Sequence, residues 1–128
     1  MGYYISKKIE VPFERALDRV KEELKKEGFG VLTDIDMRDT LKKKLDVDFR
    51  NYRILGACNP PFAYKALLAE EKIGLMLPCN IIVQEREDGT VEVAAIDPSA
   101  SMQTVANPAL TEIAAQVREK LQSVISRL

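Results

Sequence analysis

Histidine is absent from this 128-residue sequence, and only two cysteines, Cys58 and Cys79, are present. The lack of histidine excludes a Ser-His-Asp or Cys-His catalytic relay and a catalytic zinc held by histidine. A general base would have to be a carboxylate, a lysine, a tyrosine or a thiolate. Two cysteines in a chain of this length are typical of free thiols in a reducing compartment, so the sequence predicts a cytoplasmic protein without a structural disulfide.

Long apolar runs and a surplus of basic charge are also missing. No apolar run in the sequence approaches the roughly 20 residues that a membrane-spanning helix needs, so we expect a soluble protein with no membrane partner. Nineteen basic residues against twenty acidic ones give a net charge of −1, and only 6% of the residues are aromatic. Because phosphate binding depends on basic charge, we expect no nucleic-acid partner.

What remains is the composition of an ordinary globular protein, with 46% hydrophobic and 30% charged residues. A chain of this length fits one domain, residues 1–128, and should bury roughly two-thirds of its unfolded surface on folding. That amount of burial supports a core without disulfides or metal ions.

The apolar periodicity predicts two long amphipathic helices and an antiparallel sheet. One helix runs from Phe13 to a stop at Gly28, and the other follows Asn107 as its cap. Alternating patterns predict strands over residues 3–11, 29–35, 52–58, 80–86 and 91–97, the last two joined by a turn at Asp88-Gly89. Two short helices are also predicted. The first follows Asp36 as its cap, and the second covers residues 62–71.

These elements predict an α+β two-layer sandwich with two short inserted helices. In the second insertion we expect Pro60 to stay outside the helix, Pro61 to start it and Gly74 to end it. Leu75 and its neighbours are expected to form a buried link, and a small-residue loop is expected between Pro98 and residue 107. Helices cover one sheet face, so the other face must be solvated, covered by an inserted helix or buried in a dimer. Of these alternatives we expect a homodimer.

The candidate site lies where the two cysteines enter and leave strands. Cys58 ends a strand before a helix N-terminus, which favours an anion, so its thiolate could be stabilised there. Cys79 begins the next strand, and the two thiols could approach each other if these strands are antiparallel neighbours. We therefore predict a ligand-binding site made of Cys58, Asn59, Pro61, Cys79 and Asp97.

Several chemistries fit this site. The first is a small-ligand pocket without covalent chemistry. The second is a soft-metal site, with zinc as the candidate metal. Cys58 and Cys79 would supply half of its tetrahedral shell, and carboxylates, water or a second subunit would supply the rest. The third is a thiol-dependent redox protein or enzyme, although the C-x-x-C spacing is missing. Buried cysteines that only pack, and an Asp97 that only opens a turn, are the structural alternatives.

Three motifs carry a resemblance to a known family: Gly56-Ala57-Cys58-Asn59-Pro60, Leu77-Pro78-Cys79-Asn80 and Asp97-Pro98. Together they resemble the family called domain of unknown function 302, over nearly the whole chain. The resemblance implies a β-α-β(4)-α domain of the TATA-binding-protein-like fold, in a small bacterial or archaeal protein that often associates as a dimer. It implies no established catalytic residue, and the name of the fold does not imply DNA binding.

Overall fold

The computed structural model describes residues 2–128, which form one antiparallel sheet flanked by helices. The strands are Tyr4–Ile9 (β1), Gly30–Asp36 (β2), Tyr52–Cys58 (β3), Cys79–Glu85 (β4) and Val91–Ile96 (β5). The α-helices are Phe13–Lys26 (α1), Met37–Leu45 (α2), Pro60–Ala69 (α3), Pro98–Met102 (α4) and Pro108–Ser126 (α5). Two 3-10 turns, Ile73–Met76 and Gln103–Val105, precede β4 and α5.

The sheet has the strand order β1-β5-β4-β3-β2, and every neighbouring pair is antiparallel. Helices α1 and α5 pack on one face, where their apolar stripes meet the inward side chains of the central strands. Fully buried core residues include Val20 and Leu24 of α1, Leu55 and Ile81 of the sheet, and Leu121 of α5. The predicted α+β two-layer sandwich, in the order β-α-β(4)-α with short inserted helices, is confirmed.

Local capping signals place the helix ends as the sequence predicts. The Asp36 side chain accepts a hydrogen bond from the Asp39 amide at the start of α2, and the Asn107 side chain accepts one from Ala109 at the start of α5. Gly28 follows α1 with φ of +87°, a conformation that glycine adopts at little cost. These contacts span two or three residues, which is why they are readable from sequence.

Helix α3 begins one residue earlier than predicted. Asn59 has the extended conformation of a residue before proline, and its carbonyl accepts the first helical hydrogen bond from Ala63, at 2.9 Å. Pro60 therefore occupies the first helical position, and Pro61 the second. The helix also ends at Ala69 rather than near Gly74, since Glu70 has an extended backbone. The Asn107 side chain donates a 3.0 Å hydrogen bond to the Ala69 carbonyl at this end.

Two predicted connections were wrong. The link before β4 is a 3-10 turn in which Ile73 alone is buried, and Leu75 is 85% exposed rather than buried. The segment after β5 contains helix α4 instead of a loop. The Asp97 side chain caps this helix by accepting a hydrogen bond from the Ser99 amide. The small residues of α4 lack an amphipathic period, so periodicity did not reveal this third short helix.

No helix of residues 2–128 has both the length and the apolar character needed to cross a membrane.

Candidate functional site

The two cysteines lie at the same end of neighbouring strands. In the antiparallel pair of β3 and β4, Ala57 lies opposite Cys79, so Cys58 is one residue beyond that pair. Neither thiol is in a disulfide, and each is partly buried. Both cysteines border one cavity, which also reaches Asn59 at the start of α3. The fold therefore brings three of the five predicted site residues together.

The cavity has a volume of about 230 Å³ and lies between α3, α5 and the ends of β3 and β4. Its wall is almost entirely apolar, and the side chains that contribute to it come from elements far apart in the sequence. They include Phe29, Leu32, Phe62, Ala63, Ala66, Leu77, Pro78, Pro98, Met102, Leu110, Ile113, Ala114 and Val117. Apart from the two thiols, Asn59 is the one polar residue of the described chain in this wall.

An irregularity in β2 brings an unexpected residue to the cavity. The pairing of β2 with β3 shifts between Val31 and Thr33, so that the intervening Leu32 has no partner in the register. Such bulges change the direction of a side chain. Leu32 borders the cavity although it is 67% exposed, which places it at the entrance.

Asn59 holds the wall of the cavity in place. Its side chain is buried, and its amide nitrogen donates a 3.0 Å hydrogen bond to the Glu27 carbonyl at the end of α1. A Cβ atom added to Gly28 would lie 3.3 Å from that nitrogen, so the segments around Gly28 and Asn59 are closely packed. Asn59 thus ties the end of α1 to the start of α3, and its amide nitrogen is already engaged.

The environment of Cys79 keeps its thiol neutral. Burial, and to a lesser extent the neighbouring Cys58, raise the pKa of the Cys79 thiol to about 11. Because the thiolate is the nucleophile, Cys79 is a poor candidate for nucleophilic chemistry near neutral pH. Its neutral side chain suits an apolar wall.

Two of the predicted site residues are not in the cavity wall. Asp97 is buried beside it, where one carboxylate oxygen caps α4 and the other receives a 3.0 Å hydrogen bond from Arg118 Nε. Asp97 therefore fixes α4, whose Pro98 and Met102 do border the cavity. Pro61 is exposed at the second position of α3 and borders no part of it.

The residues at this site do not fit a closed zinc shell within one chain. Residues 2–128 contain no group of three or more cysteine, aspartate or glutamate side chains placed to hold a metal ion. Structural zinc normally has four protein ligands, and Cys58 and Cys79 would supply two. Zinc at these cysteines would need ligands from outside the chain.

Comparison with known proteins adds family membership to this geometry. The model of the family described as "Domain of unknown function DUF302" matches residues 5–128. The chain is similar to a crystal structure of an uncharacterized conserved protein DUF302 from Bacillus stearothermophilus, with a TM-score of 0.92 and 30% sequence identity. That similarity covers 99% of this chain and 98% of the other. No curated protein matches this chain. The chain therefore belongs to the DUF302 family.

Proposed function

We propose that this protein binds a small, mainly apolar molecule, without covalent chemistry, in the cavity between α3, α5 and the ends of β3 and β4. The observation that carries the proposal is the cavity itself, about 230 Å³ with an almost wholly apolar wall. Protein interiors are packed about as densely as organic crystals, and voids much larger than a water molecule are few. A concave, mainly apolar wall between helices and a sheet is typical of a binding pocket, and at about 230 Å³ this one is smaller than the pockets that hold drug-sized molecules.

The polar groups around the cavity favour non-covalent binding. The Cys79 thiol is neutral near pH 7, because its pKa is raised to about 11. One N–H of the Asn59 side chain is used by the Glu27 carbonyl. Hydrophobic contact is then the main source of affinity, and few polar groups remain to orient the ligand.

A cavity-filling variant tests this proposal. Ala114 is buried on α5 and borders the cavity, whereas the adjacent Ala115 is exposed. In the wild type, 1-octanol should shift the backbone amide NMR signals of α3, α5 and the ends of β3 and β4. The Ala114→Leu variant should lose these shifts because the added side chain fills the cavity, and Ala115→Leu should retain them. Shifts that persist in Ala114→Leu, or no shifts in the wild type, would contradict the proposal.

The alternative function is that of a thiol-dependent redox protein or enzyme in which Cys58 and Cys79 form a reversible disulfide. Two free thiols at the same end of neighbouring strands favour it, and the high pKa of Cys79 disfavours it. Oxidation by diamide followed by intact-mass measurement separates the two functions. A rapid loss of two hydrogens from the monomer, reversed by dithiothreitol, would support redox chemistry, and two thiols that stay reduced until unfolding would support the pocket.

A homodimer through the open face of the sheet is the second part of the proposal. By strand alternation this face contains Tyr4, Tyr52, Ile54, Ile82 and Ile96, and four of these five border one shallow depression. Aromatic and branched side chains on an otherwise uncovered sheet are typical of an interface. Cys58 and Cys79 border the cavity beneath α3 and α5, so a partner on this open face would not supply zinc ligands to them.

Metal analysis of protein purified without chelator tests the zinc alternative, which stoichiometric zinc would support. Light scattering tests the dimer. At micromolar concentration we expect twice the chain mass of 14.4 kDa. Ile82→Glu in the middle of the sheet should give a monomer, because a carboxylate buried in an interface has no partner. Thr111→Glu, on the exposed side of α5, should remain dimeric. A monomeric wild type would remove the dimer.

A further inference from the structure

Two lysines converge on one side chain of the cavity wall. The Phe62 ring borders the cavity, and the ammonium groups of Lys65 on α3 and Lys120 on α5 lie 5.7 Å and 5.9 Å from its centroid. Each is within the range of a cation–π contact with the same ring. The same ring thus borders the apolar cavity and lies close to two positive charges supplied by different helices.

These two charges are poorly neutralised by the protein. Among the described residues, Lys65 has no carboxylate within salt-bridge distance. Lys120 lies 3.9 Å from Glu27, whose other carboxylate oxygen makes a shorter contact, 2.9 Å, with Arg127. An anion placed between the two lysines would therefore be attracted to both.

We propose that the ligand is an amphiphilic anion, namely an unbranched aliphatic carboxylate whose tail fills the cavity and whose head group lies between Lys65 and Lys120. This inference rests on the proposed function. A purely polar anion would leave an apolar wall without contact, and a purely apolar molecule would leave the lysines unused.

The size of the cavity sets the length of the tail. A cavity of about 150 Å³ accommodates benzene, so one of about 230 Å³ has room for roughly nine non-hydrogen atoms. Octanoate, with seven carbons beyond its carboxylate, fits within this space and is ionised at pH 7. Longer tails would have to extend past the exposed Leu32 at the entrance.

The head group should contribute modestly. Exposed ion pairs with lysine are weak, and two of them together amount to roughly a two- to thirtyfold gain in affinity at low ionic strength. Because salt screens exposed charges, this gain should shrink as the salt concentration rises.

Calorimetric titration with octanoate, 1-octanol and octylammonium, below their aggregation concentrations, tests the inference. We expect octanoate to bind most tightly, and the preference over 1-octanol to fall at least twofold in Lys65→Met and in Lys120→Met. Methionine keeps much of the apolar stem, so 1-octanol affinity should change little. Lys44→Met, on the exposed side of α2, is the control for net charge and should behave as the wild type.

The outcomes separate the two proposals. Equal affinity for octanoate and 1-octanol, tighter binding of octylammonium, or a preference that survives both lysine substitutions would overturn the head-group inference and leave the apolar pocket intact. Binding of neither octanoate nor 1-octanol would overturn the proposed function and the inference together. Octanoate binding that Ala114→Leu does not weaken would place it outside the cavity and overturn the inference.

Discussion

Replacing Gly56 by alanine should destabilise the protein through a single added methyl group. Gly56 is buried in β3, opposite Asn80 of β4 and beside β2. A Cβ atom there would overlap the Thr33 hydroxyl and lie 2.8 Å from Cγ of Pro78. The proline ring is rigid, and threonine has restricted freedom at χ1, so neither neighbour can move away cheaply.

The size of the effect follows from overpacking. One extra methyl group in a closely packed site typically costs about 1–3 kcal/mol of unfolding free energy. For a domain of this size, 1 kcal/mol corresponds to a shift of the melting temperature by roughly 3–5 °C. We therefore expect the Gly56→Ala variant to melt about 8 °C below the wild type.

Thermal and urea unfolding followed by circular dichroism measure the difference, with Gly30→Ala as the matched control. Gly30 also lies in the sheet, but a Cβ atom there would meet nothing within 4 Å. The double variant Gly56→Ala/Thr33→Ala should recover part of the lost stability, because the overlap with the Thr33 hydroxyl is removed. The recovery should be incomplete, because the contact with Pro78 remains. Equal stabilities of Gly56→Ala and Gly30→Ala would refute the reasoning.

Further predictions concern three other residues. At pH 8, Cys79 should react with Ellman's reagent only after denaturation, because with a pKa of about 11 roughly one thiol in a thousand is ionised; rapid labelling of Cys79 by mass spectrometry would contradict this. Hydrogen bonding from Arg53, with a smaller contribution from Lys21, lowers the pKa of Asp34. Its contribution to stability is therefore present above its ordinary pKa of 3.8 and lost as the pH falls below it, so Asp34→Asn should flatten the acid limb of the stability profile. Asn59→Ala removes the hydrogen bond to a helix-end carbonyl and should lower the unfolding free energy by about 1–3 kcal/mol in urea titrations.

The elements of the fold were predictable because their signals are local. The apolar stripe of α1 repeats within a single helix, and its stop at Gly28 is one residue. The turn at Asp88-Gly89 and the cap at Asn107 depend on hydrogen bonds between residues two or three apart. The strand order then follows a familiar arrangement of such elements.

The candidate site was predictable only in part. Cys58, Asn59 and Cys79 stood out because of their residue types and their places at strand ends. Asp97 also stood out, but its partner Arg118 is 21 residues away, on α5. The short helix α4 is not predictable from periodicity, because Asp-Pro also opens turns and its small residues have no helical period.

The sequence by itself determined the strands and the helices other than α4, since their signals lie in residues close together in the chain. Its composition excluded histidine chemistry. Only the tertiary structure decided that a cavity exists, that a bulge places Leu32 at its entrance, and that Lys65 and Lys120 meet at Phe62. A cavity is the space that separate elements fail to fill, so no single segment encodes it. It arises from the packing of α5 against α3 and the ends of β3 and β4, which lie tens of residues earlier in the chain.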